Sequence, residues 1–358
     1  MKTTITKISL LLCVAVALSS CHRKPIYDSC LCQSTLSIPI DIDWETSGIE
    51  LQNVSVLFYD AEDGSLQYEH IYEHNDKDIQ SYASLPTGSY TAVIFNEKRN
   101  QIDYLSCVDH ENISTLHFES NSAEPLRSRA ATRSYIAQSG DLAVAVVEGI
   151  EVTDDMILEA SAADDSDDTK ALSTATKTTV ESLMGITTVK KNTTIYVTAH
   201  IQNIYYARMP SLVDLTNLAD GYYVYSDANS SSTSTLQFTM NNRTYYEGSY
   251  YDGYIYTTVT AFGSLEDRTS TASHDASSPI MLDLLFKMVD AEQSEQTLTM
   301  DVTDQIVHQT LADGSITMTI EVEFSDPLTP VEPEGSAGDS GFGSEVEDWD
   351  VVYVPLGQ

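Results

Sequence analysis

The segment Ile316-Thr317-Met318-Thr319-Ile320-Glu321-Val322-Glu323-Phe324 changes from apolar to polar at every step. Successive side chains of a β-strand point to opposite faces. This period of two therefore puts Ile316, Met318, Ile320, Val322 and Phe324 on one face, and Thr317, Thr319, Glu321 and Glu323 on the other. Such a strand is half-buried, with its apolar face turned to a core. Ile38, Ile40, Ile42 and Trp44 alternate in the same way with Pro39, Asp41 and Asp43.

Weaker versions of the pattern occupy Val54 to Tyr59, Tyr90 to Phe95, Leu116 to Phe118, Ala143 to Val147, Ile195 to Ile201, Leu236 to Met240, Tyr254 to Ala261, Met281 to Val289 and Leu298 to Val302. Turn formers stand between them: Asp63-Gly64, Pro86-Thr87-Gly88, Asn241-Asn242, Asp252-Gly253 and Asp313-Gly314. Short strands at this spacing predict an all-β chain built of sandwiches. Helical periodicity is poor; the best candidates, Thr153 to Ala163 and Lys177 to Met184, are too short to organise a core and are expected to decorate loops.

With 358 residues, 42% of them hydrophobic, the chain is long enough for two domains and too apolar for a disordered polymer. Alternation disappears between Glu119 and Gly140, so the expected division is an N-terminal sandwich over 36–135 and a C-terminal one over 136–358. The second should carry an acidic loop around Asp164 to Asp168 and a final strand after the Pro/Gly/Ser-rich stretch 326–343.

The 54 acidic residues outnumber the 18 basic ones and give a formal net charge of -36. Phosphate backbones would be repelled, which excludes nucleic acid as a partner. Lys2 and Lys7 flank the apolar run Ile8 to Leu18, which is too short to span a bilayer and reads as an export signal over residues 1–20. It ends in Leu18-Ser19-Ser20-Cys21, which resembles the lipobox of bacterial lipoproteins. On that resemblance Cys21 is acylated, residues 21–35 form a tether, and the outer membrane is the lipid partner. Three acyl chains would anchor durably, since each buried methylene contributes about 0.8 kcal/mol.

Cys30, Cys32 and Cys107 then remain. Outside the cytoplasm three thiols suggest one disulfide, joining Cys30 or Cys32 to Cys107, plus one free thiol. A Cys30–Cys32 bridge would be cramped. Zinc would need a fourth ligand, and none stands at a familiar spacing, although His110 is close to Cys107.

Other constellations carry little chemistry. Gly338-Asp339-Ser340-Gly341 matches the peptide around a serine nucleophile but lies in a linker, and Phe342 follows where a further Gly is needed for an oxyanion turn. His70 and His74 are four apart in a strand-like region, a spacing that does not close on a metal there. Asp60, Glu62 and Asp63 before Gly64 lack the full calcium-loop pattern and read as an acidic turn. No catalytic residue, metal site or cofactor is therefore expected. Tyrosine stands out, with 21 residues against 2 tryptophans. The clusters Tyr205-Tyr206, Tyr222-Tyr223-Tyr225, Tyr245-Tyr246 and Tyr250-Tyr251 could stack on sugars or protein partners, although tyrosine is also simply a good β former.

Three further segments carry a resemblance: Leu85-Pro86-Thr87-Gly88-Ser89-Tyr90 leading into Thr91 to Asn96, Asp301-Val302-Thr303-Asp304-Gln305-Ile306, and Val346-Glu347-Asp348-Trp349-Asp350. With the lipobox, they make the chain similar to the fimbrillin superfamily of Bacteroidales, in its lipoprotein anchor branch. The resemblance implies two tandem transthyretin-like Greek-key sandwiches and a non-enzymatic fimbrial anchor or assembly subunit of the outer membrane, partnered by shaft or accessory subunits. Val352, Val354 and Leu356 share one face of the last strand, which would either complete its own sandwich or add to a partner's sheet edge. Departures are the basic cluster Arg127 to Arg133, which falls between the expected domains, and His22-Arg23-Lys24, which is basic where a surface-export signal would be acidic. The alternative function is a surface glycan-binding lipoprotein that uses the tyrosines.

Overall fold

Val54 to Tyr59 have no solvent-facing side chain: every one of the six is buried. They form the middle of a strand with a hydrophobic layer on each side, and the first half of the molecule is built around it. The computed structural model describes residues 35–44, 47–49, 53–73, 81–99, 101–125, 133–164, 174–264 and 278–334.

In chain order the first half contains β1 (Leu36–Ile40), β2 (Ile42–Asp43), β3 (Asn53–Asp60), β4 (Leu66–Glu73), β5 (Ser81–Leu85), β6 (Gly88–Asn96), β7 (Leu105–Val108) and β8 (His117–Ser120). Then come β9 (Tyr135–Ile136), β10 (Ala143–Val152), α1 (Asp154–Asp164), α2 (Thr174–Ser182), β11 (Ile186–Thr187) and β12 (Val189–Lys190). A sheet of order β12-β10-β6-β3-β4 lies at the centre. Val56, Phe58, Ala92, Ile94 and Ala145 point from it into one core, and Leu57, Tyr59, Val93, Phe95 and Val144 into the other. Side chains alternate across a strand, so a near-continuous apolar run such as Val54 to Tyr59 is what burial on both faces requires.

The first core is closed by the β1–β5 ribbon, through Leu36, Ile38, Ala83 and Leu85, and by the two helices. The helices do more than decorate loops. Met156 and Ile157 of α1 are buried, Val180 of α2 packs against the same core, and the Thr179 hydroxyl donates to the Glu151 carbonyl at 2.8 Å. Their periodicity is faint because each meets the core with only a residue or two per turn.

The second half contains β13 (Thr193–Ile201), β14 (Ala207–Ala219), β15 (Gly221–Tyr223), β16 (Ala228–Asn229), β17 (Thr233–Met240), β18 (Asn242–Tyr245), β19 (Gly253–Ala261), β20 (Met281–Met288), β21 (Glu295–Asp301), β22 (Ile306–Thr310) and β23 (Ile316–Glu323). Two five-stranded sheets, β18-β19-β13-β23-β22 and β21-β20-β14-β17-β9, face one another as a sandwich. Ile195, Val197, Ile255, Met318 and Ile320 from one sheet meet Val213, Leu236, Leu284 and Phe286 from the other. Strand β23 shows the alternation expected of it, with Ile316, Met318, Ile320 and Val322 buried and Thr319, Glu321 and Glu323 exposed.

Strands of the two halves interleave around residue 135, where the sequence places its boundary. β9 pairs in parallel with β17 of the second sandwich, after which β10 returns to the centre of the first sheet and pairs with β6. The chain crosses again at β15 and β16, which extend the sheet β16-β15-β8-β7 that covers the second face of the central sheet. Tyr222, Val224 and Phe262 thus pack with Leu57, Phe95 and Phe118 in one core.

Candidate functional site

The outer face of the β18-β19-β13-β23-β22 sheet can be read as a grid from its pairing. His200 stands opposite Tyr254 on one side and Glu323 on the other, and the next row runs Tyr256, Thr198, Glu321. Each row thus places an aromatic ring at one end and a carboxylate at the other. Tyr256 is 41% exposed, and Tyr196 and Tyr246 are exposed beside it.

Tyr246 comes from the β18–β19 hairpin. Its ring stacks on His200 with centroids 5.9 Å apart and planes 8° from parallel. Tyr254 lies 5.6 Å from His200 and 5.9 Å from Tyr256, so the rings are contiguous. His200 Nδ1 is 2.5 Å from the Tyr246 hydroxyl and Nε2 is 3.2 Å from Glu321 Oε1. A neutral imidazole satisfies both by accepting from the tyrosine and donating to the carboxylate. Burial, followed by the charges of Glu323 and Asp252, pushes the Tyr246 hydroxyl above its ordinary pKa.

Local hydrogen bonds hold the hairpin. The backbone N–H of Tyr246 donates to the Asp252 carbonyl, the N–H of Asp252 to the Ser249 hydroxyl, and the N–H of Asn203 to Asp252 Oδ1. Gly253 is required at its base, since a Cβ there would run into the Thr244 carbonyl of the paired strand. At the neighbouring end of the sandwich Tyr206 stacks on Tyr251, with Tyr205 edge-on to both.

The four tyrosine clusters of the sequence therefore separate. Tyr205, Tyr206 and Tyr251 gather with one another, and Tyr246 joins the His200 grid. Tyr222 is buried between the halves with its hydroxyl donating to Asp227 at 2.7 Å. Tyr223 stacks on His117 at 4.8 Å, and Tyr225 is exposed. His200 and Tyr254 escaped the sequence reading because they are 54 positions apart and meet only through the β13–β19 pairing.

A second concave feature is a cleft of about 490 Å³ between β10, β12 and the β15–β16 turn, lined by Val146, Glu148, Val189 and Tyr225. Its polar end is occupied by a Lys191–Asp227 ion pair at 3.0 Å.

Cys107 is half-buried on β7, and burial pushes its thiol up to about 12. Cys21, Cys30, Cys32, Ser340, Val352, Val354 and Leu356 lie outside the described residues. The acidic turn is built by its own carboxylates: Asp60 Oδ1 accepts from the backbone N–H groups of Glu62 and Asp63, and Asp63 Oδ1 from that of Ser65. Gly64 takes a φ of +72° in it. His70 lies edge-on to Phe58 and stacks on Tyr72, and burial lowers its pKa. Among the described residues no group of His, Cys, Asp and Glu is arranged to hold a metal, and no helix is long and apolar enough to cross a membrane.

Comparison of sequences with curated proteins returns no match. Among solved structures, a candidate adhesin from Bacteroides ovatus is 16% identical, with 87% of this chain and 98% of that one covered and a TM-score of 0.52. The fimbrial anchor protein Mfa2 from Porphyromonas gingivalis is 10% identical over 79% of this chain and 95% of its own, with a TM-score of 0.39. The fold is thus all-β and shared with the candidate adhesin from Bacteroides ovatus. A family model described as a domain of unknown function, DUF5119, matches residues 20–239, which is more than half of the sequence, and the chain belongs to that family.

Proposed function

We propose that this protein is a non-enzymatic lipoprotein of the outer membrane that serves as a fimbrial anchor or assembly subunit. The observation that carries the reading is the Leu18-Ser19-Ser20-Cys21 lipobox ahead of a two-part β-sandwich body whose fold is shared with a candidate adhesin. A lipid on Cys21 tethers the body, and the body presents open sheet edges to other subunits. Among the described residues strands β18 and β21 each stand at the end of a sheet, and a sheet edge offers its backbone N–H and C=O groups to an added strand. The acidic surface keeps such a protein soluble on its tether.

The test is a Cys21→Ser substitution with fractionation and copurification. The wild-type protein should sediment with outer membranes and bring fimbrial subunits with it, and the variant should be soluble and folded. Retention of the variant in salt-washed membranes would refute the lipid tether. A wild-type protein that captures no fimbrial subunit would refute the assembly role. Removal of Val351 to Gln358 then reports on the terminal strand. Lost thermal stability in the monomer means self-completion, and unchanged stability with lost subunit capture means donation.

A further inference from the structure

We propose that the outer face of the second sandwich, around Tyr254, Tyr256 and His200, binds a neutral polysaccharide chain. The two rows of the grid supply complementary groups at fixed spacing: the ring faces of Tyr254 and Tyr256 at one end, and the carboxylates of Glu323 and Glu321 at the other. A pyranose has an apolar face of C–H groups and an equatorial rim of hydroxyls. The C–H face packs on a tyrosine ring, and the rim hydroxyls donate charge-assisted hydrogen bonds to the carboxylates.

Three observations select this ligand. The carboxylates of both rows would repel a uronic acid or sulfated chain by like charge, whereas a neutral polyol is not repelled and its hydroxyls can donate to them. Among the described residues the face is an open sheet surface. Pockets that enclose small molecules are concave, so a single sugar would bury little here, but a chain laid along contiguous rings 5.6 and 5.9 Å apart repeats the contact. Finally, the platform is already assembled. The hydrogen bonds of His200 to Tyr246 and Glu321 fix the ring between the rows, so binding orders little that is not ordered beforehand.

The inference is independent of the anchor reading, since it concerns a face that either kind of surface protein would expose. Full-length protein purified in detergent is applied to a glycan array that carries neutral, uronate- or sulfate-bearing and amino-sugar chains. Binding to one or more neutral chains is expected, little changed by 0.5 M salt by the short reach of contact forces. Tyr254→Ala and Tyr256→Ala should each weaken it about tenfold, the loss of one ring contact. Tyr256→Phe, which keeps the ring, should retain most of it, and its melting temperature together with that of Tyr256→Ala shows that the fold is intact. Absence of binding to any neutral chain overturns the proposal. So does binding confined to charged chains, or binding that survives loss of both rings.

Discussion

Tyr222 of β15 stands directly opposite Phe118 of β8 in an antiparallel pairing that joins strands more than 100 positions apart. Both are fully buried, and with Phe262 and Phe95 they fill the core between the central sheet and its outer cover. The second half of the chain thus completes the first. Tyr222→Ala removes the ring and its bond to Asp227, and should destabilise the protein by about 3–5 kcal/mol. Chemical denaturation should show one cooperative transition displaced as a whole. A variant in which one half unfolds early while the other keeps its wild-type midpoint would refute the coupling.

Ile320 and Glu321 are adjacent on β23 and face opposite ways, the first fully buried and the second exposed. Ile320→Ala should cost about 2–5 kcal/mol through lost transfer energy and a residual cavity. Glu321→Ala should change stability by less than about 0.5 kcal/mol. Equal melting temperatures for the two variants would contradict the register.

Gly253 sets the β18–β19 hairpin and so positions Tyr246. A methyl group on it meets the Thr244 carbonyl, a backbone atom that cannot swing aside. Gly253→Ala should destabilise by about 1–3 kcal/mol and shift the near-ultraviolet circular dichroism of the tyrosines. Unchanged stability and spectrum would show that the hairpin tolerates a wider separation.

Asp301 accepts from the backbone N–H of Thr303 at 3.0 Å and from its hydroxyl at 2.6 Å, and these bonds hold its carboxyl below the usual carboxylate range. A depressed pKa stabilises the fold above the unfolded value, about 4, and that stabilisation is lost as pH falls through the folded value. Asp301→Asn keeps an acceptor and loses the charge. The wild type should melt higher than the variant at pH 7, and the gap should close below about pH 4 as its own carboxyl protonates. A gap that widens on acidification would reverse the assignment.

The alternation in Ile316 to Phe324 and in Leu36 to Ile40 is a local property, because a strand with one wet face must repeat every second residue. Strand positions, turn residues at Gly64 and Gly314 and the sandwich class could therefore be read from the amino-acid order alone. A strand such as β14 is not legible in this way, since Ala207 to Ala219 mixes polar and apolar residues without strict period. The order of strands in each sheet is a different kind of fact. It depends on which edges bury the most apolar surface when brought together, and that sum runs over residues far apart in the chain. Only the tertiary structure could show that β10 returns to the first sheet, that Tyr222 belongs to a core made mostly by the other half, and that His200 meets Tyr254 and Glu323 on one face. A tyrosine bound for a core and one bound for a surface follow the same local rule, and the partners that separate them are chosen by long-range pairing.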